Sequence, residues 1–389
     1  MKIPTLRFPE FKGDWELKKL GEVTSYVDYR GRAPIKTEEG CFLVTAKNIK
    51  KGFIDYECSK EYVAENDYSN VMSKGLPAIG DVLFTTEAPM GNVAQIDKVN
   101  VALAQRVIKF RGKVMLSNFF LLHYMLSDIF QKNISQKSIG TTVQGISGKE
   151  LHKIKLSFPT LSEQQKIANF LTAVDEKLQT LKQKKNLLEQ YKKGVMQQIF
   201  SQEIRFKDDK ENTFADWEEK KVKDIFVVTR GNVLSMTLVS DKQDDNNFYP
   251  VYSSQTKNNG LSGYYYKYLF EDCITWTTDG AGAGDVNFRK GKFYCTNVCG
   301  VLKNNKGYAN VFIAEMLNSI SRKYVSYVGN PKLMNNVMAE ISISIPTSIV
   351  EQTKIAHFLS AIDDKINHCQ AQITHTEVWK KGLLQQMFC

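Results

Sequence analysis

The feature that most constrains the fold of this chain is an internal repeat with a shift of 188 residues. The stretch EQQKIANFLTAVDEKLQ, which begins at Glu163, matches EQTKIAHFLSAIDDKIN, which begins at Glu351. The match continues without a gap to Phe200 and Phe388, and seventeen of the 38 aligned pairs are identical. A repeat of this length indicates two similar structural units in tandem.

The regions between the two copies also correspond, although more weakly. LRF…DWELKKLGEV from Leu6 resembles IRF…DWEEKKVKDI from Ile204, and DVLFTTEAPMGNV from Asp81 resembles DCITWTTDGAGAGDV from Asp272. Each unit is therefore predicted to be a variable globular domain followed by a similar helix. The expected domains are residues 1–158 and 201–346, and the expected helical repeats are residues 159–200 and 347–389.

Both helical repeats carry apolar residues at the 4-3-4-3 spacing of a coiled-coil seam. These residues are Ile167, Leu171, Val174, Leu178 and Leu181 in the first copy, and Ile355, Leu359, Ile362, Ile366, Cys369 and Ile373 in the second. Some 38 residues form a helix of about 57 Å. Pairing of the two helices would bury both seams, and the alternative is that each helix packs only on its own domain.

The predicted fold class is α+β, with two globular mixed α/β domains joined by two long helices. The order of domains and helices along the chain favours an antiparallel coiled coil with pseudo-twofold symmetry, because each helix leads directly into or out of a domain. In this arrangement the two ends of the chain lie close together.

Composition and charge restrict the kind of partner. The net charge is +10, from 52 basic and 42 acidic residues, and a basic surface attracts polyanions such as nucleic acid. Ordinary solubility charge is the alternative explanation. No apolar run approaches the roughly 20 residues that span a bilayer, and Met1 is followed by polar sequence where a secretory signal would be apolar. The expected location is the cytoplasm.

The sequence contains little that would support catalysis, a metal or a cofactor. It has no G-x-S-x-G, G-x-x-x-x-G-K-[ST] or H-E-x-x-H motif. Gly280 to Gly284 follow an apolar run, as in a phosphate cradle, but such a cradle needs a helix directly afterwards. Residues 285–292 are instead polar and hairpin-like. We therefore expect no catalytic site, no metal site and no cofactor, and a surface role for His357, His368 and His375.

Loops rich in amides, hydroxyls and lysines are the candidate DNA-reading elements, since these groups contact base edges and phosphates. They occur at residues 45–51 and 140–147, and again at 252–259 and 332–336, although a polar loop taken alone is usually a solvated turn. The predicted DNA-binding residues are Arg30, Arg32, Lys47, Asn48, Lys50, Lys51, Thr85, Thr86, Arg106, Thr141, Thr142, Gln144, Ser147, Arg230, Tyr252, Ser253, Ser254, Gln255, Lys257, Thr277, Thr278, Lys332, Asn335 and Asn336.

Two repeated motifs give the chain a family resemblance. The proline followed by E-Q-x-K-I-A-x-F-L-x-A-[VI]-D, at Pro159 and Pro346, and the K-K-G-x-x-Q-Q-x-F that closes each helix resemble the specificity subunit of type I restriction-modification enzymes. The resemblance covers essentially the whole chain. It implies that each of two target-recognition domains reads one half of a split, asymmetric site in double-stranded DNA. It also implies that the paired helices dock two methyltransferase subunits, that restriction subunits join the assembly, and that this subunit has no catalysis of its own.

The two domains differ in how well they match this family. Tyr249 to Ser254 and Thr277 to Gly280 in the second domain, and Gly80 to Thr86 in the first, are similar to core segments of the recognition domains. The first domain has Gly40 to Thr45 near the position of the Tyr-Pro-Val-Tyr segment, which indicates a different recognition-domain lineage. Two other classes stay open from the residues alone, namely a stand-alone tandem DNA-binding regulator and a self-sufficient methyltransferase or nuclease.

Overall fold

The structure is a computed structural model that describes residues 3–29, 33–140 and 144–389. It divides into unit 1, formed by Met1–Gln183 with Gln370–Cys389, and unit 2, formed by Lys184–Cys369. Each unit contains a globular domain, the beginning of one long helix and the end of the other. Within the described residues, no helix is both long enough and apolar enough to cross a membrane.

Unit 1 contains nine strands and five short helices among its described residues, followed by the start of a long helix. The strands are β1 (Glu16–Lys19), β2 (Thr24–Asp28), β3 (Cys41–Val44), β4 (Tyr62–Val63), β5 (Val82–Thr85), β6 (Val93–Gln95), β7 (Ala102–Leu103), β8 (Val107–Gly112) and β9 (Lys155–Phe158). The helices are α1 (Leu20–Val23), α2 (Tyr68–Val71), α3 (Asn118–Leu126), α4 (Asp128–Lys137), α5 (Gly148–His152) and the long helix α6 (Leu161–Phe200).

Unit 2 begins in α6 and ends in the second long helix. Its strands are β10 (Glu218–Lys221), β11 (Val227–Arg230), β12 (Tyr249–Tyr252), β13 (Leu261–Tyr265), β14 (Phe270–Thr277), β15 (Val286–Cys295), β16 (Cys299–Lys303) and β17 (Ser342–Ile345). Its further helices are α7 (Val222–Ile225), α8 (Val311–Ser321), α9 (Asn335–Glu340) and α10 (Ile349–Gln386).

The two domains share a sheet topology in spite of their different sequences. The four-stranded sheet of unit 1 has the order β2-β8-β5-β6, and the sheet of unit 2 begins with the corresponding order β11-β16-β14-β15. In unit 2 the long strand β15 continues past β14 and pairs in parallel with β12. In unit 1 a separate short strand, β7, pairs in parallel with β3. The β3 segment therefore occupies the topological position of Tyr249–Tyr252, although it lacks the Tyr-Pro-Val-Tyr sequence.

Each domain is closed by its own first and last strands. β1 pairs antiparallel with β9, so that Glu16 lies opposite Phe158. β10 pairs in the same way with β17, so that Glu218 lies opposite Ile345. The chain therefore returns to the start of each domain just before the proline that precedes the long helix.

The repeated Glu-Gln pair ties the start of each long helix to its domain. Arg7 Nε donates to Glu163 Oε1 at 2.7 Å in unit 1, and Arg205 Nε donates to Glu351 Oε1 at 3.0 Å in unit 2. Both glutamate side chains are buried, and a buried carboxylate is stable only when it is paired. The glutamines that follow donate at 2.8 Å to the carbonyl oxygens of Pro159 and Pro346. The identity of this dipeptide in both copies thus reflects an anchoring role.

In unit 1 the first part of α6 runs antiparallel to the last part of α10. Leu171 and Val174 share a buried core with Leu383 and Met387, whereas Lys182, further along α6, pairs with the earlier residue Glu377 at 2.7 Å. The segment around Leu6 also contacts the end of α10 here, because Leu6 N donates to Gln386 O at 2.9 Å.

In unit 2 the last part of α6 runs antiparallel to the first part of α10. Ile199 shares a buried core with Ile355 and Leu359, and Lys192 Nζ pairs with Asp363 at 2.7 Å. The predicted antiparallel pairing is confirmed. Because the same cores contain strands of the adjoining domain, each helix also packs on its own domain, and the two predicted alternatives occur together.

We expect Glu351→Gln to lower the free energy of unfolding by about 3 kcal/mol. Its carboxylate accepts from Arg205 and, at 3.2 Å, from Trp217 Nε1, and neutralising it leaves a partly buried guanidinium with only the exposed Asp216, at 3.9 Å, as a counter-charge. Urea unfolding followed by tryptophan fluorescence measures the change. The exposed Glu219→Gln is the control, and an equal midpoint for the two variants would contradict the anchoring role.

Candidate nucleic-acid interface

Three loops of unit 1 meet at one buried threonine. We call residues 86–92, 104–106, 139–140 and 144–147 loop cluster 1. The backbone N–H of Thr86 donates to Arg106 O at 2.9 Å, and Ile146 N donates to Thr86 O at 3.0 Å. The Thr86 side chain is 2% exposed. The backbone of Thr86 therefore joins the three loops of loop cluster 1 by hydrogen bonds.

Unit 2 builds the corresponding cluster around Thr278. We call residues 278–285, 296–298 and 326–334 loop cluster 2. Thr278 N donates to Val298 O at 3.0 Å, and Leu333 N donates to Thr278 O at 2.9 Å. This repeats the contacts of Thr86, so the two threonine pairs that the sequence alignment matched also match in three dimensions.

The other predicted loops lie beside these clusters. In unit 1, Asn92 Nδ2 donates to Ile49 O at 2.7 Å, which joins the 45–51 loop to loop cluster 1. In unit 2, Thr296 N donates to Tyr252 O, and the Thr296 hydroxyl donates to Ser253 Oγ, both at 2.9 Å. Segments that are distant in sequence therefore converge on one part of each domain.

The predicted residues fall into four groups by exposure. Lys47, Lys51, Arg106, Gln144, Ser147, Arg230, Gln255, Lys257, Lys332 and Asn336 are exposed. Lys50, Tyr252, Ser253, Ser254 and Asn335 are partly buried. Asn48, Thr85, Thr86, Thr277 and Thr278 are buried. Arg30, Arg32, Thr141 and Thr142 lie outside the residues that the structure describes.

The buried members of the set are engaged within the domain. Asn48 Oδ1 accepts from Thr45 N at 3.0 Å, and its amide donates to Asp55 O at 2.9 Å. The Thr85 hydroxyl accepts from Asn92 N at 3.0 Å. The side chains of Asn48 and Thr85 therefore stabilise their own loops, and we assign neither a direct contact with DNA.

Several exposed or partly buried members also have internal contacts. Arg106 Nε pairs with Glu87 at 2.9 Å, Ser147 Oγ accepts from Glu150 N at the start of α5, and Gln255 Nε2 donates to Leu261 O. Asn335 Nδ2 donates to Thr229 O at 3.2 Å. Gln144 and Lys51 are exposed and are the clearest candidates for direct contact with DNA.

Loop cluster 2 exposes two apolar residues that the sequence analysis missed. Ser326 and Lys332 close a short finger by mutual backbone hydrogen bonds, and within it Tyr327 is 68% and Val328 91% exposed. Exposed apolar side chains of this kind can contact thymine methyl groups or stack on bases. The glycine, asparagine and proline that follow at 329–331 are a turn signal that could have located the finger.

A polar pocket lies between the 253–260 loop and loop cluster 2. Its volume is about 150 Å³, and its lining includes Gln255, Asn259, Thr277, Asp285 and Arg289. Arg289 was not among the predicted residues, because a single arginine in a strand carries no loop or motif signal.

The segment after the glycine run is a strand. Residues 280–284 form the turn between β14 and β15, and the two strands pair antiparallel. The hairpin interpretation of this segment is therefore confirmed. A phosphate cradle would require a helix N-terminus at this point.

The histidines do not assemble with other ligand-type side chains. Among the described residues, no group of three His, Cys, Asp or Glu side chains is arranged to hold a metal ion. His357, His368 and His375 are exposed on α10. His123 is buried under α6, and burial, together with the charge of Lys380, lowers its pKa to about 3.

The helices carry a second repeated surface, formed by an aromatic residue and a glycine in each copy. Tyr191 is 54% exposed and Trp379, its repeat partner, is 47% exposed. Gly194 and Gly382 lie three residues further on, and a side chain added at either one would meet no atom within 4 Å. A glycine inside a helix costs about 1 kcal/mol relative to alanine, and nothing within the described part of the chain approaches these two closely enough to require one.

Comparison with known proteins gives a consistent result. The chain matches the sequence family described as the type I restriction modification DNA specificity domain over residues 12–190 and 215–375. It is 32% identical over 255 residues to a protein assigned as a type I specificity subunit of Mycoplasma pneumoniae, which covers 62% of this chain and 87% of that protein. It is 37% identical over 159 residues to the type I restriction enzyme MpnII specificity subunit of the same organism, which covers 39% of this chain and 45% of the relative.

A solved structure shares the fold. The crystal structure of the type I restriction-modification system S subunit from M. genitalium aligns with a TM-score of 0.69, covering 100% of this chain and 99% of that one. The sequence identity is 17%, so this similarity concerns the fold alone.

Proposed function

The chain belongs to the family of type I restriction modification DNA specificity proteins, and from this premise we propose which surfaces carry its function. A member of this family is a DNA-binding specificity subunit that assembles with other restriction-modification subunits, and the chemistry is not its own. A stand-alone regulator has no support in this membership. We propose that the chain works in the cytoplasm, beside the DNA that it reads.

Loop cluster 1 with the 45–51 loop, and loop cluster 2 with the 253–260 loop, are the proposed surfaces for the two halves of the DNA site. The observation that carries this proposal is that both domains build the same loop arrangement on the buried Thr86 and Thr278, while the exposed side chains above them differ. The same buried threonine in both domains, with different exposed side chains around it, is the arrangement expected of two domains that recognise different DNA sequences.

The repeated aromatic-glycine surface is the proposed docking site for two methyltransferase subunits, one at Tyr191 with Gly194 and one at Trp379 with Gly382. Exposed aromatic residues are typical anchors of protein interfaces, and the open space beside each glycine lets a partner approach the helix backbone closely. Two copies of one surface support two copies of one partner. Restriction subunits would join through the assembled complex.

The proposal is tested by co-expressing the full chain with a methyltransferase subunit and mapping methylated bases in the host genome. We expect the two proteins to purify together and the methylated sequence to consist of two different blocks separated by a spacer. Methylation at one continuous or palindromic sequence would contradict the proposed reading of two half-sites.

Within loop cluster 1 and its neighbouring loop, we expect Lys51 and Gln144 to act differently. Lys51→Ala removes a point charge suited to a phosphate and should weaken binding to all DNA, reducing the salt slope by about 0.9. Gln144→Ala removes an amide that can pair with an adenine edge, and should lower affinity for the cognate half-site alone by about 1–3 kcal/mol.

Binding titrations of the assembled complex at several salt concentrations measure both effects, with the exposed Lys12→Ala as the control. An unchanged ratio of specific to non-specific affinity in Gln144→Ala would withdraw this residue from the reading surface.

A further inference from the structure

Arg289 on β15 is held in one orientation by three contacts. Its Cζ lies 3.8 Å from the centre of the Tyr252 ring, its Nε donates to Thr275 Oγ1 at 3.0 Å, and its Nη2 donates to Asn259 O at 2.6 Å. Cation–π stacking and two hydrogen bonds fix a guanidinium plane well. The end of the side chain is therefore preorganised at the wall of the polar pocket.

This cation has no carboxylate partner within the described part of the chain. Asp285, which lines the same pocket, pairs with Arg322, and the contacts of Arg289 are with a ring, a hydroxyl and a carbonyl. Burial lowers the pKa of Arg289, because a partly buried cation without a counter-charge is costly. The hydrogen bonds to Thr275 and Asn259 use Nε and one hydrogen of Nη2, so the hydrogens of Nη1 and the second hydrogen of Nη2 can bind a ligand.

Unit 1 shows that the fold does not need a charge at this position. Val286 begins β15 and lies opposite Trp276 of β14, just as Val93 begins β6 and lies opposite Phe84 of β5. Three residues further on, unit 2 has Arg289 and unit 1 has Ile96, which is 2% exposed in an apolar core. An apolar residue therefore satisfies the shared topology, and the arginine is specific to the second domain.

We propose that Arg289 reads the acceptor edge of a guanine in the half-site bound by the second domain. Two guanidinium N–H groups match O6 and N7 of guanine in the major groove. The lining favours a base over a phosphate, because the pocket also contains hydrogen-bond acceptors, namely the Asp285 carboxylate and the side-chain amide of Gln255, which a phosphate without donors cannot use. In the major groove a G·C pair presents the guanine acceptors O6 and N7 beside the cytosine N4 donor, and this pocket contains both donors and acceptors. The inference rests on the proposed reading of one half-site by each domain.

The test uses the full chain assembled with its methyltransferase subunit. Methylation mapping of the unaltered complex first gives the half-site of the second domain, which is identified as the half that changes when that domain is exchanged. Methylation rates are then measured on duplexes in which each G·C pair of this half-site is replaced in turn. For Arg289→Met we expect discrimination at one G·C position to fall about 10- to 100-fold, with the other positions and the first half-site unchanged.

Two further variants control for folding and charge. Lys290→Met alters the next residue of the same strand, whose side chain is exposed, and should leave discrimination unchanged. Arg289→Lys keeps the positive charge but lacks the planar guanidinium, and should lose discrimination at the same position as Arg289→Met. If Arg289→Met does not fold, Arg289→Lys tests the proposed guanine contact in its place.

Several outcomes would overturn the inference. They are a half-site without any G·C pair, full discrimination in Arg289→Lys, and a uniform loss of rate with a salt slope reduced by about 0.9, which is the signature of a phosphate contact. Methylation by the unaltered complex without any two-part sequence would instead refute the proposed function itself.

Discussion

Exchange of residues 202–346 for the corresponding domain of a relative is expected to change one half of the methylated site and leave the other half intact. The expected effect is large, because specific and non-specific DNA affinities commonly differ by about 10³-fold or more. The exchanged segment contains both β10 and β17, which pair with each other, so the junctions leave the closing sheet whole.

The contacts of Glu351 show which side chains the incoming domain must contain. Glu351 stays with the recipient chain and needs a partner, so the incoming domain has to carry an arginine in place of Arg205 and a tryptophan in place of Trp217. A second exchange in which this arginine is replaced by methionine separates misdocking from altered reading. Genome-wide methylation mapping gives the result, and a change in both halves, or in neither, would contradict the division of labour between the domains.

A bulky side chain at Gly194 is expected to abolish capture of one methyltransferase subunit. Gly194→Trp would fill the open space beside Tyr191 and keep a partner away from the helix backbone. Gly194→Ala should have the opposite effect on the isolated chain and stabilise it by about 1 kcal/mol, because alanine is the better helix former and meets no neighbour. The repeat predicts the same pair of effects at Gly382.

Co-purification with a tagged methyltransferase subunit, and the mass of the assembled complex, measure the result. The matched control is Lys193→Trp, which adds the same ring to an exposed position about 100° further round the helix. If the double variant Gly194→Trp/Gly382→Trp bound methyltransferase subunits as fully as this control, the docking surface would lie elsewhere. Loss of one subunit with Gly194→Trp and of both with the double variant is the expected pattern.

The loops of the proposed interface could be located from the sequence, but the orientation of their side chains could not. The loops at 45–51, 140–147, 252–259 and 332–336 stand out by composition, and the structure brings their described residues together beside two matching threonines. Which residue of each loop points outward is a different question. Asn48 has a side-chain amide of the kind that can contact a base edge, yet it is buried and bonds to its own loop. The sequence could not show this, because loops have no periodicity that separates buried from exposed positions.

The sequence by itself determined the two-unit organisation, the two long helices and their buried seams. A repeat and a 4-3-4-3 spacing can be recognised along the chain itself, and an apolar stripe at this spacing indicates a long helix with one buried face. Only the tertiary structure decided that Arg7 pairs with Glu163 across 156 residues, that Thr86 and Thr278 lie beneath the loops, and that Arg289 faces a pocket. These depend on contacts between residues far apart in sequence, and the free energy of a buried charge or hydroxyl is set by the partners that the fold brings to it.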